Sequence, residues 1–210
     1  MVVTPTSIPR VINRRPWFLC ARRRSVSYMG QIVHGPLTWM NGIIPGKPFT
    51  AEIEERLARR TFWERSKVST TYGSLARDSS GRMRLSYTVK PILWQPVAVV
   101  TILDPVSGSM FVFRNLSRTC IRSPLRETLN PSTAIAQADS EHRVIEGLDC
   151  VRLPVAPDIG LEVWMSEELN QVVLEKNASN EHVWRLVNVH RREPRPELFK
   201  PPPGITIVDG

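Results

Sequence analysis

The chain has 210 residues, 41% of them hydrophobic, which fits one domain that buries a core without staples and argues against overall disorder. Its net charge of +8 sits at one end: residues 1–47 hold seven basic residues and no acidic one, and the other 21 basic residues are matched by 20 acidic ones. A near-neutral domain lacks the basic stripe of a nucleic-acid-binding fold, and no run of apolar residues is long enough to cross a membrane as a helix.

Residues 1–44 show no sustained period and mix Pro, Arg and Ser with isolated aromatics. Arg14-Arg15 followed by Pro16–Cys20 has the opening of an export signal, but the apolar stretch is short and Arg22–Arg24 blocks it. The segment reads as a poorly ordered basic tail or a degenerate signal region. Pro45-Gly46-Lys47-Pro48 is a strong breaker and places the domain at 45–210.

Phe49–Glu54 alternates apolar and polar residues, the pattern of a half-buried strand. Glu55–Arg65 fits helix and strand about equally, because Ile53, Leu57 and Arg60 have helical spacing. Tyr72–Arg77, the turn Asp78–Gly81 and Arg82–Val89 form a hairpin, with Met83, Leu85 and Tyr87 on one face. Val97–Leu103 is β-branched and central; Asp104–Gly108 turns it into Met110–Phe113, and Arg118–Ile121 follows. Residues 122–141 read as a long loop or short helix.

Arg143–Ile145 and Cys150–Leu153 form a further hairpin, followed by strands at Leu161–Met165, Gln171–Glu175 and Val183–Val189 and a last short one at Ile205–Val208. About nine or ten closely spaced strands with few helices imply a mainly β, or β-dominated α+β, domain. The expected architecture is a single curved antiparallel sheet, an open half-barrel wrapped on one or two short helices.

Recognisable chemistry is sparse. The sequence holds no phosphate-binding glycine loop, nucleophile elbow or HExxH, and its four histidines are scattered. No catalytic residue, metal ligand or cofactor is therefore assigned, and the domain is expected not to be an enzyme. Cys20, Cys120 and Cys150 have no metal-ligand spacing. Cys120 and Cys150 fall in strands, either as small buried hydrophobes or, in an oxidising compartment, as a disulfide. The aromatics Trp94, Phe111, Phe113, Trp164 and Trp184 lie on or near different strands. They fill a core, or, if the sheet curls without closing, line an apolar cavity of the kind that holds lipid or acyl chains.

Five phrases carry a resemblance: Leu75-Ala76-Arg77-Asp78-Ser79-Ser80-Gly81-Arg82-Met83-Arg84, Ile102-Leu103-Asp104-Pro105-Val106-Ser107-Gly108, Ile145-Glu146-Gly147-Leu148, Val163-Trp164-Met165-Ser166-Glu167-Glu168-Leu169 and Arg192-Glu193-Pro194-Arg195-Pro196-Glu197-Leu198-Phe199. In this order they resemble phrases of uncharacterised secreted proteins from acidobacteria-like soil bacteria, whose plan is similar to the lipoprotein-carrier superfamily of half-barrels. Met165 stands where that family has a tyrosine, and no clear export signal is present. The resemblance implies a periplasmic or secreted location and a lipid, a lipoprotein acyl chain or an envelope protein as partner. It supplies no site residues. The rival expectations are a protein-interaction or sensor module without a cavity and, third, a hydrolase.

Overall fold

The computed structural model describes residues 46–61, 64–89, 96–125, 141–153 and 160–210. The expected tail, Trp94 and most of the 122–141 stretch lie outside these residues. Among the described residues, β1 (Phe49–Thr61), β2 (Glu64–Arg77), β3 (Met83–Val89), β4 (Val97–Asp104), β5 (Ser109–Arg114) and β6 (Thr119–Pro124) form one meander. A second meander comprises β7 (His142–Ile145), β8 (Leu148–Leu153), β9 (Leu161–Ser166), β10 (Gln171–Asn177) and β11 (His182–His190). Antiparallel pairing of β1 with β11 joins them into one open, curved sheet.

The sheet is antiparallel except at one edge, where β12 (Thr206–Asp209) lies parallel to β6. The ambiguous stretch after Glu54 is strand, because β1 continues to Thr61 against β2 and β11. Helix is nearly missing from the described residues: one 3-10 turn, Pro196–Phe199, packs on β3 and β4. It does not supply the helices that the half-barrel was expected to wrap.

Alternation gives the sheet two different faces. Phe49, Ala51 and Ile53 of β1, Leu75 of β2, Met83, Leu85 and Tyr87 of β3 and Leu103 of β4 share a buried cluster with Val163, Val172, Trp184 and Leu186 of the second meander. That face is here called inner. On the opposite, outer face, Ala76, Val100, Ile102, Phe113 and Cys120 form a second cluster under Phe199 and Ile205.

The chain after β11 covers the outer face as a strap, held at several points. Glu193 accepts hydrogen bonds from the Ser79 N–H (3.1 Å) and hydroxyl (3.2 Å). Arg84 Nη1 donates to the Leu198 carbonyl at 3.1 Å, and the Arg82 guanidinium lies 5.3 Å from the centre of the Phe199 ring. Buried Asp78 orders the hairpin tip by accepting from the Arg82 N–H (2.9 Å) and Nε (2.6 Å). Two of the phrases that carry the resemblance are thus one contact in the fold, the first hairpin and the strap that crosses it.

Candidate functional site on the inner face

One end of the inner face is closed by Arg77, a fully buried arginine on β2. Its Nη2 donates to the Lys47 carbonyl at 2.7 Å and to the Leu169 carbonyl, and its guanidinium stacks 5.1 Å from the Phe49 ring. Burial pulls its pKa down to about 10. Gly46 fits beneath it because a Cβ there would collide with both Arg77 Nη2 and the Leu169 carbonyl. The Gly46 breaker is therefore also a packing requirement.

Further along, the face holds a polar cluster. Glu55, 6% exposed, lies directly opposite Trp184, and Trp184 lies opposite buried Glu175. Glu55 Oε1 is 3.0 Å from His182 Nε2. Trp184 Nε1 donates to the Tyr87 hydroxyl oxygen at 2.7 Å. Burial, then the charge of Glu55, push the Tyr87 phenol well above its ordinary value, with Glu175 adding and the Trp184 hydrogen bond opposing.

Gly73 permits that contact. It pairs with Tyr87 on one side and Ile53 on the other. A Cβ at Gly73 would meet the Ser86 carbonyl at 2.6 Å and the Tyr87 ring at 3.0 Å. Without it, the phenol lies across β2 towards β11.

The remaining part of the inner face is apolar and incompletely covered. One row runs Leu85, Thr101, Val112, Ile121, Val208 by strand register. Leu85 is buried, Thr101 and Val112 are half-buried, and Ile121 and Val208 are 40% and 42% exposed. Val97, Val99 and Met110 flank the row and are half-buried too. The outer residues Val100, Ile102, Phe113 and Cys120 of β4, β5 and β6 are buried, whereas Ile207 of β12 is exposed. Here the convex face is roofed by the strap while the concave face stays half open.

The five aromatics proposed from sequence do not line one surface. Trp94 is outside the described residues. Phe111 and Phe113 belong to the outer cluster. Trp184 faces inward beside Tyr87. Trp164 belongs to the same buried cluster as Trp184 and Val163, although by register it pairs with Leu174 and Arg152 while Val163 aligns through Glu175 with Trp184. Its Nε1 donates to Glu162 Oε1 at 2.7 Å, and Arg143 lies 5.9 Å above its ring. Burial works to raise the Glu162 pKa, but hydrogen bonds from Trp164 and Lys176 outweigh it and hold the carboxyl low.

Cys120 and Cys150 are both buried free thiols, on β6 and β8, in separate clusters. Burial, with some help from Asp149, pushes Cys150 up to about 11, so it is an inert core residue at neutral pH. Among the described residues no group of three His, Cys, Asp or Glu side chains could hold a metal ion, and no helix is long and apolar enough to cross a membrane.

Sequence reasoning placed Tyr87 on the apolar face of its hairpin but gave no site role to it, to Glu55, Glu175 or His182, or to the aliphatic row. A signal for Glu55 was present: it continues the phase of Phe49, Ala51 and Ile53, so its carboxylate had to face the core side.

No protein-family model and no curated protein matches the chain, so the likeness to the acidobacteria-type proteins rests on the quoted phrases alone. Among solved structures, the chain is similar to a LolA superfamily protein from Nitrosomonas europaea. The identity is 9% and the TM-score 0.35, over 76% of this chain and 93% of that one. So distant a likeness says nothing of what this chain binds.

Proposed function

We infer that the domain is a non-enzymatic binder that takes the apolar part of a lipid, or of a lipoprotein's acyl chains, along the inner face of β4, β5, β6 and β12. One observation carries this reading. Thr101 and Val112 are half-buried and Ile121 and Val208 are exposed towards the β12 edge, while Val100, Ile102, Phe113 and Cys120 on the other face of β4, β5 and β6 are buried. Leaving apolar side chains open to water costs about 25 cal/mol per Å², and an acyl chain laid in the trough recovers it. The buried polar groups beside the trough are engaged with one another, Glu55 with His182 and Tyr87 with Trp184, the pattern of a satisfied core network. An envelope location enters through the sequence phrases.

Native mass spectrometry of the full chain, purified gently from a bacterial host, tests the proposal. It predicts a lipid-sized adduct that organic extraction removes and that added fatty acid or phospholipid restores. A clean unliganded mass with no uptake of either overturns it.

A further inference from the structure

Among the described residues, the edge strand β12 is built differently from the opposite edge. β7 carries His142 and Arg143, charged or polar groups of the type that blunt a sheet edge. β12 reads Thr206-Ile207-Val208-Asp209, every residue exposed, with no proline, lysine or bulge. Its single charge is already paired, since Asp209 Oδ1 accepts from Arg122 Nε at 2.7 Å.

The hydrogen-bond phase of β12 is fixed. The Thr206 N–H donates to the Arg118 carbonyl at 2.8 Å and the Gly210 N–H to the Arg122 carbonyl at 2.9 Å. In a parallel ladder this turns the backbone groups of Thr206, Val208 and Gly210 towards β6 and those of Ile207 and Asp209 away from the sheet. The outward groups are spaced as an added strand requires.

We propose that β12 is a homodimer interface, at which β12 of a second copy adds antiparallel about a two-fold axis centred on Val208. In that register Ile207 lies opposite the partner's Asp209 and each Val208 faces the other. No charge directly opposes a like charge, because Asp209 meets an isoleucine. The two Val208 side chains meet on the inner face, so the apolar row of Val112, Ile121 and Val208 continues into the row of the second copy. The proposal is independent of what the trough binds.

Sedimentation velocity of the full chain over a range of concentrations tests it, with two variants. Ile207→Pro removes an outward N–H that β6 does not use, so a folded monomer is expected where the unmodified chain dimerises. In a Cys20→Ser background, Val208→Cys places two thiols at a non-hydrogen-bonded pair, where Cα atoms approach to about 4.5 Å, within disulfide range. A disulfide-linked dimer on mild oxidation is expected from Val208→Cys and none from Thr206→Cys. The second variant keeps the test decisive if Ile207→Pro fails to fold. A chain that stays monomeric at every concentration, a dimer undisturbed by folded Ile207→Pro, or cross-linking at position 206 instead of 208 would each overturn the proposal.

Discussion

The indole N–H of Trp184 reaches the phenol oxygen of Tyr87 at 2.7 Å, although β2 and β1 lie between their strands. Three strand spacings on a flat sheet are about 14 Å. The contact closes because the sheet curls towards this face and because Gly73 lets the Tyr87 ring lie over β2. The same curl joins residues of both meanders in one cluster and leaves the outer strands of the first meander forming the wall of an open trough.

Tyr87→Phe keeps the ring and removes the acceptor of a buried indole N–H. A loss of about 1–3 kcal/mol is expected from urea unfolding, with a shift in tryptophan emission that Trp184→Phe abolishes.

Alkaline stability follows from the same hydroxyl. The unfolded chain releases the Tyr87 proton near the ordinary value of 10.0 and the folded chain holds it higher. The unfolded state therefore binds fewer protons above about pH 10, and stability falls as pH rises. Cys150, moved from 9.0 to about 11, acts in the same sense from lower pH. Urea midpoints compared between about pH 9 and pH 11 should fall less steeply in Tyr87→Phe than in the unmodified chain.

Gly73→Val should cost more than the usual strand-glycine replacement gains. Its Cβ would meet a backbone carbonyl and the Tyr87 ring, and overpacking of this kind costs roughly 1–3 kcal/mol. A melting temperature equal to or above that of the unmodified chain would rule out the close approach.

Arg77→Met leaves the Lys47 and Leu169 carbonyls without their buried donor, for an expected loss of about 2–4 kcal/mol. Arg77→Lys should rescue little, since an ammonium cannot span both carbonyls as the planar guanidinium does. Thermal unfolding of the two variants side by side decides this.

Much of the fold was legible because alternation is a local signal. The first hairpin, with Met83, Leu85 and Tyr87 on one face, stands as read. The Glu55–Arg65 ambiguity arose because positions four apart, such as Ile53 and Leu57, share a face in a strand as well as in a helix. Which face each aromatic occupies could not be read locally. Phe113 is buried and Phe111 half-buried because a strap about eighty residues downstream covers them. On β10 a register shift between Val172 and Leu174 changes the phase against β9, so that Gln171, Val172 and Val173 are all buried. The parallel β12 depends on a partner, β6, equally far away in sequence.

The most direct measurement is a crystal structure of the full chain with a fatty acid brominated along its acyl chain. The account predicts an anomalous bromine peak in contact with Val112 and Ile121 on the inner face. Bromine bound only on the outer face, or no bound chain at saturating ligand, would contradict it.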